Sequence, residues 1–353
     1  LLQLTAGENV HELFMNYRNT LTQSLNLKHP LVMAPMFLVS NEAMLHAGMD
    51  AGILAAFPSL NYRKNHELET ILQSLNKKVS ALRETQRPGN YAVNLIVQQT
   101  NTWYRSHLEI CVAQKVPVYI TSLGNPKEVI ARAHAYGAKV FCDVTNLVHA
   151  KKCNDLGCDG FVAVGHGAGG HAGNNPLQLL TESLRRHFPS QPVLAAGGIA
   201  TGRALLSALA SGASAAYIGT RFIASTESDV LPAYKESILQ SGMEDIIMTE
   251  RLSGTPCAVI NTPFAQKIGT KQNRFEKWLS KNPRTKKYFK ALVNLQGLKL
   301  LENAVKPGNY NNLWCAGQSV EMIHSVKPIP EIIEELTKGF DEALAELNRE
   351  ANP

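Results

Sequence analysis

The chain has 353 residues, 35 Lys and Arg against 29 Asp and Glu, a formal charge of +6, and 44% hydrophobic residues. At 18% charged and 7% aromatic it is neither disordered nor fibrous, and its length suits one large α/β barrel with an appendage or two ordinary domains. No apolar run approaches the roughly 18 residues of a membrane span. The opening residues Leu1–Glu8 lack the basic head and long apolar run of a signal peptide. Six cysteines (Cys111, Cys142, Cys153, Cys158, Cys257 and Cys315) form no CxxC. They read as free thiols of a reducing compartment, so the expectation is a soluble cytoplasmic protein with no metal site and no disulfide framework.

In chain order, short apolar runs at Leu31–Met33, Ile53–Ala56, Ala92–Leu95, Val118–Thr121, Lys139–Cys142, Gly160–Val164, Val193–Ala196 and Ala215–Ile218 read as strands. They are apolar at successive positions, as strands buried on both faces of a parallel sheet should be. Amphipathic stretches between them, such as Asn41–Ala47, Arg105–Gln114, Pro126–Tyr136, Leu147–Leu156, Pro176–His187 and Arg203–Ala210, read as helices. Eight such alternations predict a (β/α)₈ TIM barrel. Residues 1–228 and 311–353 are assigned to the barrel, and 229–310, which lacks the alternation, to an inserted, mostly helical lid or substrate domain. Trp314–Ser319 reads as a return to the barrel and Glu331–Arg349 as a closing amphipathic helix.

The polar and glycine-rich positions follow the strands, where barrels build their sites. Gly197-Gly198 after the seventh strand leads to a helix capped by Thr201 or Gly202, and Gly219-Thr220 after the eighth repeats the arrangement. Two adjacent loops presenting backbone N–H groups make an anion pocket, the usual phosphate corner of a barrel. The loop after the sixth strand, Gly165–Gly173, holds five glycines in nine residues and two imidazoles. Its Gly165, Gly167 and Gly170 spell GxGxxG, but no helix opens within the motif and no acid follows at the required distance, which excludes the dinucleotide reading. His171, between glycines at the mouth of the expected site, is the candidate catalytic residue; His166 reads as structural.

Pro30–Met36, the run Ala168-Gly169-Gly170-His171-Ala172-Gly173, Ala195–Arg203 and Gly219–Glu227 together resemble the nitronate monooxygenase family, once called 2-nitropropane dioxygenases. These are FMN-dependent TIM barrels related to flavin enoyl-ACP reductases. The likeness covers roughly residues 20–228 and returns at Ala316–Ser319. It implies FMN as cofactor, His171 as the catalytic histidine, and Gly198, Gly219 and Thr220 at the phosphate, with Tyr217 and Ile218 lining the approach. It further implies that Asn94 and Gly169 contact the flavin, that Met36 packs on the ring and that Gln318 reaches the site. The implied reaction oxidises alkyl nitronates with O2 to a carbonyl compound and nitrite. The alternative is an NAD(P)H-dependent flavin reductase acting on quinones or on an enoyl thioester of an acidic carrier protein. The chain departs from the family pattern at Val164, Gly167 and Tyr217, and at Asp143, where the family often has a Lys. A Lys there favours a negative reduced flavin, whereas an Asp facing the ring opposes it.

Charge is uneven. Between Lys267 and Lys306 there are eleven Lys or Arg against two acids, a local charge of +9, so the remainder sums to −3. This run reads as a solvated helical face or a docking surface for an anionic partner, in preference to a nucleic-acid surface.

Overall fold

The computed structural model of the chain describes residues 19–98, 100–252, 255–271 and 313–351, together with 293, 296 and 297. It begins with α1 (Thr20–Leu25), β1 (Leu31–Met33), α2 (Glu42–Asp50), β2 (Leu54–Pro58), α3 (Asn65–Glu84) and β3 (Asn90–Ile96). There follow α4 (Tyr104–Ala113), β4 (Val118–Ser122), α5 (Lys127–His134), β5 (Lys139–Val144), α6 (Leu147–Asp155), β6 (Gly160–Val164), the short β7 (Gly170–His171), α7 (Leu177–His187), β8 (Val193–Ala196), α8 (Gly202–Ala210), β9 (Ala215–Ile218) and α9 (Thr220–Ile223). The later elements are α10 (Pro232–Gln240), β10 (Ile246–Thr249), β11 (Cys257–Ile260), α11 (Pro263–Ile268) and α12 (Ile329–Ala351).

Eight strands close a parallel barrel in the order β1-β2-β3-β4-β5-β6-β8-β9. The seam is the pairing of β9 with β1, Val32 opposite Tyr217 and Met33 opposite Ile218. All eight expected strands form, with end points that differ by two residues at most. Their apolar runs serve two cores at once. In β2, Leu54 and Ala56 join the cluster filling the barrel, while Ala55 and Phe57 join the layer beneath the helices. Strand side chains alternate in direction, so a residue that faces neither water nor a polar partner is required at every position. Each fully buried Leu, Val or Phe contributes about 1.5–3 kcal/mol of transfer free energy, and the two layers share that gain.

The bottom of the barrel is stoppered from the N-terminal side. Leu21 and Leu25 of α1, with Leu27, belong to the interior cluster. The Asn19 side chain caps α1 by accepting from the Thr22 N–H at 2.9 Å, and its amide donates to the Ser214 carbonyl at 2.7 Å. Water is thereby kept from the floor, and the opposite, C-terminal end of the strands is left to form a site.

The segment expected to be mostly helical carries α10 and α11 where it is described, and between them a pair of strands not expected from the sequence. After α10 it turns into the antiparallel pair β10 and β11, and β11 pairs on with β7, giving a three-stranded sheet ordered β10-β11-β7. The reason is compositional: Ile246–Thr249 and Cys257–Ile260 are apolar runs of four, too short to form a stable helix, and an open strand edge lies beside them. Most of the basic run lies outside the described residues. Among the described residues, no helix is long and apolar enough to cross a membrane.

The closing helix forms as expected and packs on α8. Its first turn is held by Glu227, whose carboxylate accepts from the Ile329 N–H at 2.9 and 3.0 Å. The buried Arg221 guanidinium donates to the carbonyls of Ala224 and Ser325 and pairs with Glu335 at 3.7 Å. The two helices meet backbone to backbone: a Cβ on Gly202 would lie 2.1 Å from the Gly339 carbonyl carbon and the Phe340 nitrogen. Neither backbone atom can swing aside. Gly202→Ala should therefore destabilise the protein by about 1–3 kcal/mol, seen as a clear fall in Tm. An unchanged Tm would show that the two helices do not approach this closely.

Candidate active site

A cavity of about 1220 Å³ opens at the C-terminal ends of the barrel strands. Small-molecule pockets commonly span about 300–1,000 Å³, so this chamber has room for more than one moderate ligand.

One end is built to receive an anion. Gly197 and Gly198 follow β8, and Gly198 has φ +70°, with nothing within 4 Å of where a side chain would begin. Thr201 caps α8 by accepting from the Ala204 N–H at 3.2 Å, which aims the first turn of that helix toward the same end. Gly219 and Thr220 follow β9 next to it. The backbone N–H groups of Gly198, Gly219 and Thr220 donate to no acceptor among the described residues. Thr220 is buried, Gly219 half-buried and Gly198 open to the cavity, and the convergence of three unpaired amides on one cavity marks a place for phosphate-like oxygens.

The floor is polar and buried. Asn94 on β3 donates to the Ile120 carbonyl at 3.2 Å and to the Ser122 hydroxyl at 2.7 Å. Ser122 donates in turn to Oδ2 of Asp143 at 2.5 Å. Burial pushes the Asp143 carboxyl up to about 6 against the opposing pull of that bond. Tyr217, across the barrel on β9, has its phenol held well above the ordinary value by burial first and by Asp143 second. Met36 and Ile218 supply apolar wall beside Gly219. Met36 is oriented through its backbone, whose N–H donates to the Ser40 hydroxyl at 3.0 Å.

His171 enters from the opposite side. It is the second residue of β7, paired with Cys257 of β11, so the inserted segment sets its backbone. Its side chain is open to the cavity yet walled by protein elsewhere, and the lost hydration holds its pKa below the ordinary 6.5. The imidazole is thus neutral near pH 7 and can accept a proton.

The structure therefore brings Met36, Asn94, Gly169, His171, Gly198, Tyr217, Ile218, Gly219 and Thr220 into the lining of one cavity. Gln318 is not itself among the lining residues: its N–H donates to the Gly167 carbonyl at 3.2 Å, its Oε1 comes 3.4 Å from where a Cβ on the lining residue Gly167 would lie, and its neighbour Ser319 lines the chamber. His166 is exposed and lies outside the lining. Sequence reasoning did not reach Ser122, Tyr234, Trp314 or the Cys257–Cys315 pair. Tyr234 stacks on Trp314 at 5.2 Å and donates to the Cys315 carbonyl at 2.5 Å, and the two sulfurs lie 3.9 Å apart. Only the position of Asp143 at the end of a strand, a polar residue in an apolar run, could have signalled that part of the floor.

The His171 environment makes a direct prediction. In ligand-free protein, NMR titration of its ring carbons should give a pKa below 6.5, and adding a bulky side chain that fills the cavity mouth should lower it further. A value above 6.5 would mean that the ring is solvated or faces an anion.

The chain matches the sequence profile of the nitronate monooxygenase family over residues 18–339. It is 30% identical over 256 residues to the (3aS,4S,5R,7aS)-5-hydroxy-7a-methyl-1-oxo-octahydro-1H-indene-4-carboxyl-CoA dehydrogenase of Mycobacterium tuberculosis, covering 72% of this chain and 69% of the relative. Among solved structures, FabK from Thermotoga maritima is 31% identical with a TM-score of 0.77, covering 94% of this chain and 99% of its own. Nitroalkane oxidase from Streptomyces ansochromogenes is 25% identical with a TM-score of 0.71, covering 93% of this chain and 100% of its own. A match across nearly the whole chain, with the cavity where the family motifs fall, makes this protein an oxidoreductase belonging to the nitronate monooxygenase family.

Proposed function

We propose that the protein binds FMN and oxidises alkyl nitronates with O2, giving a carbonyl compound and nitrite. The observation that carries this reading is the convergence of the unpaired N–H groups of Gly198, Gly219 and Thr220 with a neutral His171 on a single chamber. The residues fit the cofactor: an anion end for one phosphate, the apolar wall at Met36 and Ile218, and polar groups at Asn94 and Tyr217 on the floor. A single anion pocket favours FMN over a dinucleotide.

When bound, FMN would supply the redox chemistry, taking an electron from the nitronate and being reoxidised by O2. The glycine loops hold its phosphate through backbone donors, so they act on binding and leave the reacting ring to side chains. Asn94 and the backbone of Gly169 orient the ring, and Met36 excludes water from one side of it. Tyr217 and Ile218 line the approach, and Gln318 braces the Gly167 turn. His171 accepts the α-proton of a neutral nitroalkane and, once charged, stabilises negative charge on the nitro oxygens. The inserted segment, assigned to residues 229–310, closes over the substrate and holds β7 in place. The barrel itself comprises 1–228 and 311–353.

A second reading is an NAD(P)H-dependent reductase of an enoyl thioester, with an acidic carrier protein docking on the basic run. It is favoured by the chamber volume and by the 31% identity to FabK. Anaerobic mixing separates the two, since a nitronate alone reduces the flavin of a monooxygenase, whereas rapid bleaching by NADH or NADPH marks a reductase.

Purified protein should be yellow and release FMN on denaturation; colourless protein that cannot be reconstituted with FMN would refute the cofactor. His171→Ala should keep FMN and lose about 10²–10⁴-fold in turnover of neutral nitroalkanes, with a smaller loss for pre-formed nitronates, which need no proton removal. Because neutral His171 is the active form, parent turnover of nitroalkanes should fall on the acid side, below a pKa lower than 6.5. Parent-level rates in the variant would leave His171 a structural residue.

A further inference from the structure

Oδ1 of Asp143 is a buried oxygen with no hydrogen-bond partner, on a residue that lines the chamber. The bonds around it decide where its proton resides. A backbone carbonyl can only accept, so the Asn94 atom 3.2 Å from the Ile120 carbonyl is the amide nitrogen. That nitrogen also donates to the Ser122 hydroxyl oxygen at 2.7 Å, which leaves the hydroxyl hydrogen for Oδ2 of Asp143 at 2.5 Å. Oδ2 is therefore committed as an acceptor. The Ser122 bond survives protonation of the carboxyl with its hydrogen unmoved only when the proton sits on Oδ1, the atom without a protein partner; a proton on Oδ2 requires the hydroxyl to turn its hydrogen away.

Resting on the flavin reading above, we propose that Asp143 is a redox-linked proton acceptor, its Oδ1 taking one proton from solvent when the bound flavin gains an electron pair and releasing it on reoxidation. The electrons come from the reducing substrate, or from a chemical reductant in the test. With one proton going to the flavin, a second converts the Asp143 carboxylate to the acid. No carbon bond changes, and the net charge of the chamber is left unchanged instead of becoming one unit more negative.

The surroundings suit this role. Burial already brings the carboxyl to about 6, and a new negative charge in the same low-dielectric chamber raises it further. From β4 it meets the Ser122 hydroxyl, from β3 the Asn94 amide lies one bond beyond, and on β6 its register partner is the apolar Val162. The titratable groups that feel its charge are Tyr217 on β9, pushed up first by burial, and Cys153 on α6, pushed up first by its bond to Cys142, with Asp143 adding to each. His149, Lys152 and Asp155 of α6 and His171 of β7 line the same chamber but take no part in the balance that sets its pKa, which is burial against the Ser122 bond.

The test is the pH dependence of the two-electron reduction equilibrium of the FMN-loaded protein, measured against a reference dye. In the parent, the equilibrium should change by an extra tenfold per pH unit from about pH 6 up to the carboxyl's higher pKa in the reduced protein, above which the extra dependence ends. Asp143→Asn, which cannot titrate, should lose that extra dependence and keep bound flavin. Ser122→Ala removes the bond that lowers the carboxyl pKa, so it should keep the dependence and move its onset to higher pH. Identical slopes in parent and Asp143→Asn would overturn the proposal with flavin binding intact. If Asp143→Asn fails to fold, an unmoved onset in Ser122→Ala overturns it equally. A parent that takes up no flavin would instead overturn the reading on which the proposal rests.

Discussion

The site depends on one strand edge. β11 pairs with β10 along one side, and its other side is shared by two segments remote in sequence. Cys257 and Ala258 pair with His171 and Gly170 of the loop after β6, while Val259 bridges to Cys315 and the Ile260 N–H donates to the Trp314 carbonyl at 2.9 Å. Main-chain pairing fixes register and direction together. The glycine-rich loop is otherwise short of side chains with which to hold a shape. β11 supplies that shape, placing the imidazole of His171 opposite the anion end.

The returning segment completes the arrangement from behind. The Gly317 N–H donates to the Thr220 hydroxyl at 3.0 Å, and the next N–H, of Gln318, donates to the Gly167 carbonyl. Thr220 thus turns its side chain to the return segment and leaves its backbone N–H to the cavity. The same residue joins the wall to its support. Below it, Arg221, Glu227 and Glu335 tie this corner to the closing helix, so the phosphate corner and the C-terminal helix are packed as one unit.

Electrostatics follow from the same geometry. The stopper at the bottom and the double apolar layer keep water from the floor, so every polar group there is paired or has its protonation shifted. Asp143 and Tyr217 are pushed up and His171 down, all chiefly by burial. Each is therefore driven toward its neutral form, although the Asp143 carboxyl, at about 6, is still largely ionised at pH 7. Such a site responds strongly to any charge created within it, because a charge in a medium of low dielectric is poorly screened.

The amino-acid sequence by itself determined the barrel. Apolar runs at successive positions, such as Val193–Ala196, can be buried only on both faces; with amphipathic helices between them they leave a barrel or a doubly wound sheet, and the glycine loops that follow the strands favour the barrel. The glycine loops and His171 were legible too, because a ligand loop must follow its strand directly and lack side chains where the backbone meets the ligand. What only the tertiary structure decided was pairing at a distance. No local pattern tells that Cys257 lies opposite His171, that Ile246–Thr249 forms a strand instead of a helix, or that the Gln318 N–H donates to the Gly167 carbonyl. Nor does it tell that Ser122 gives its hydrogen to Asp143, 21 residues away. Periodicity reports which face of an element is apolar, but hydrogen-bond partners from separate elements are chosen by closure of the whole chain, when each remaining edge and buried polar atom must find a partner.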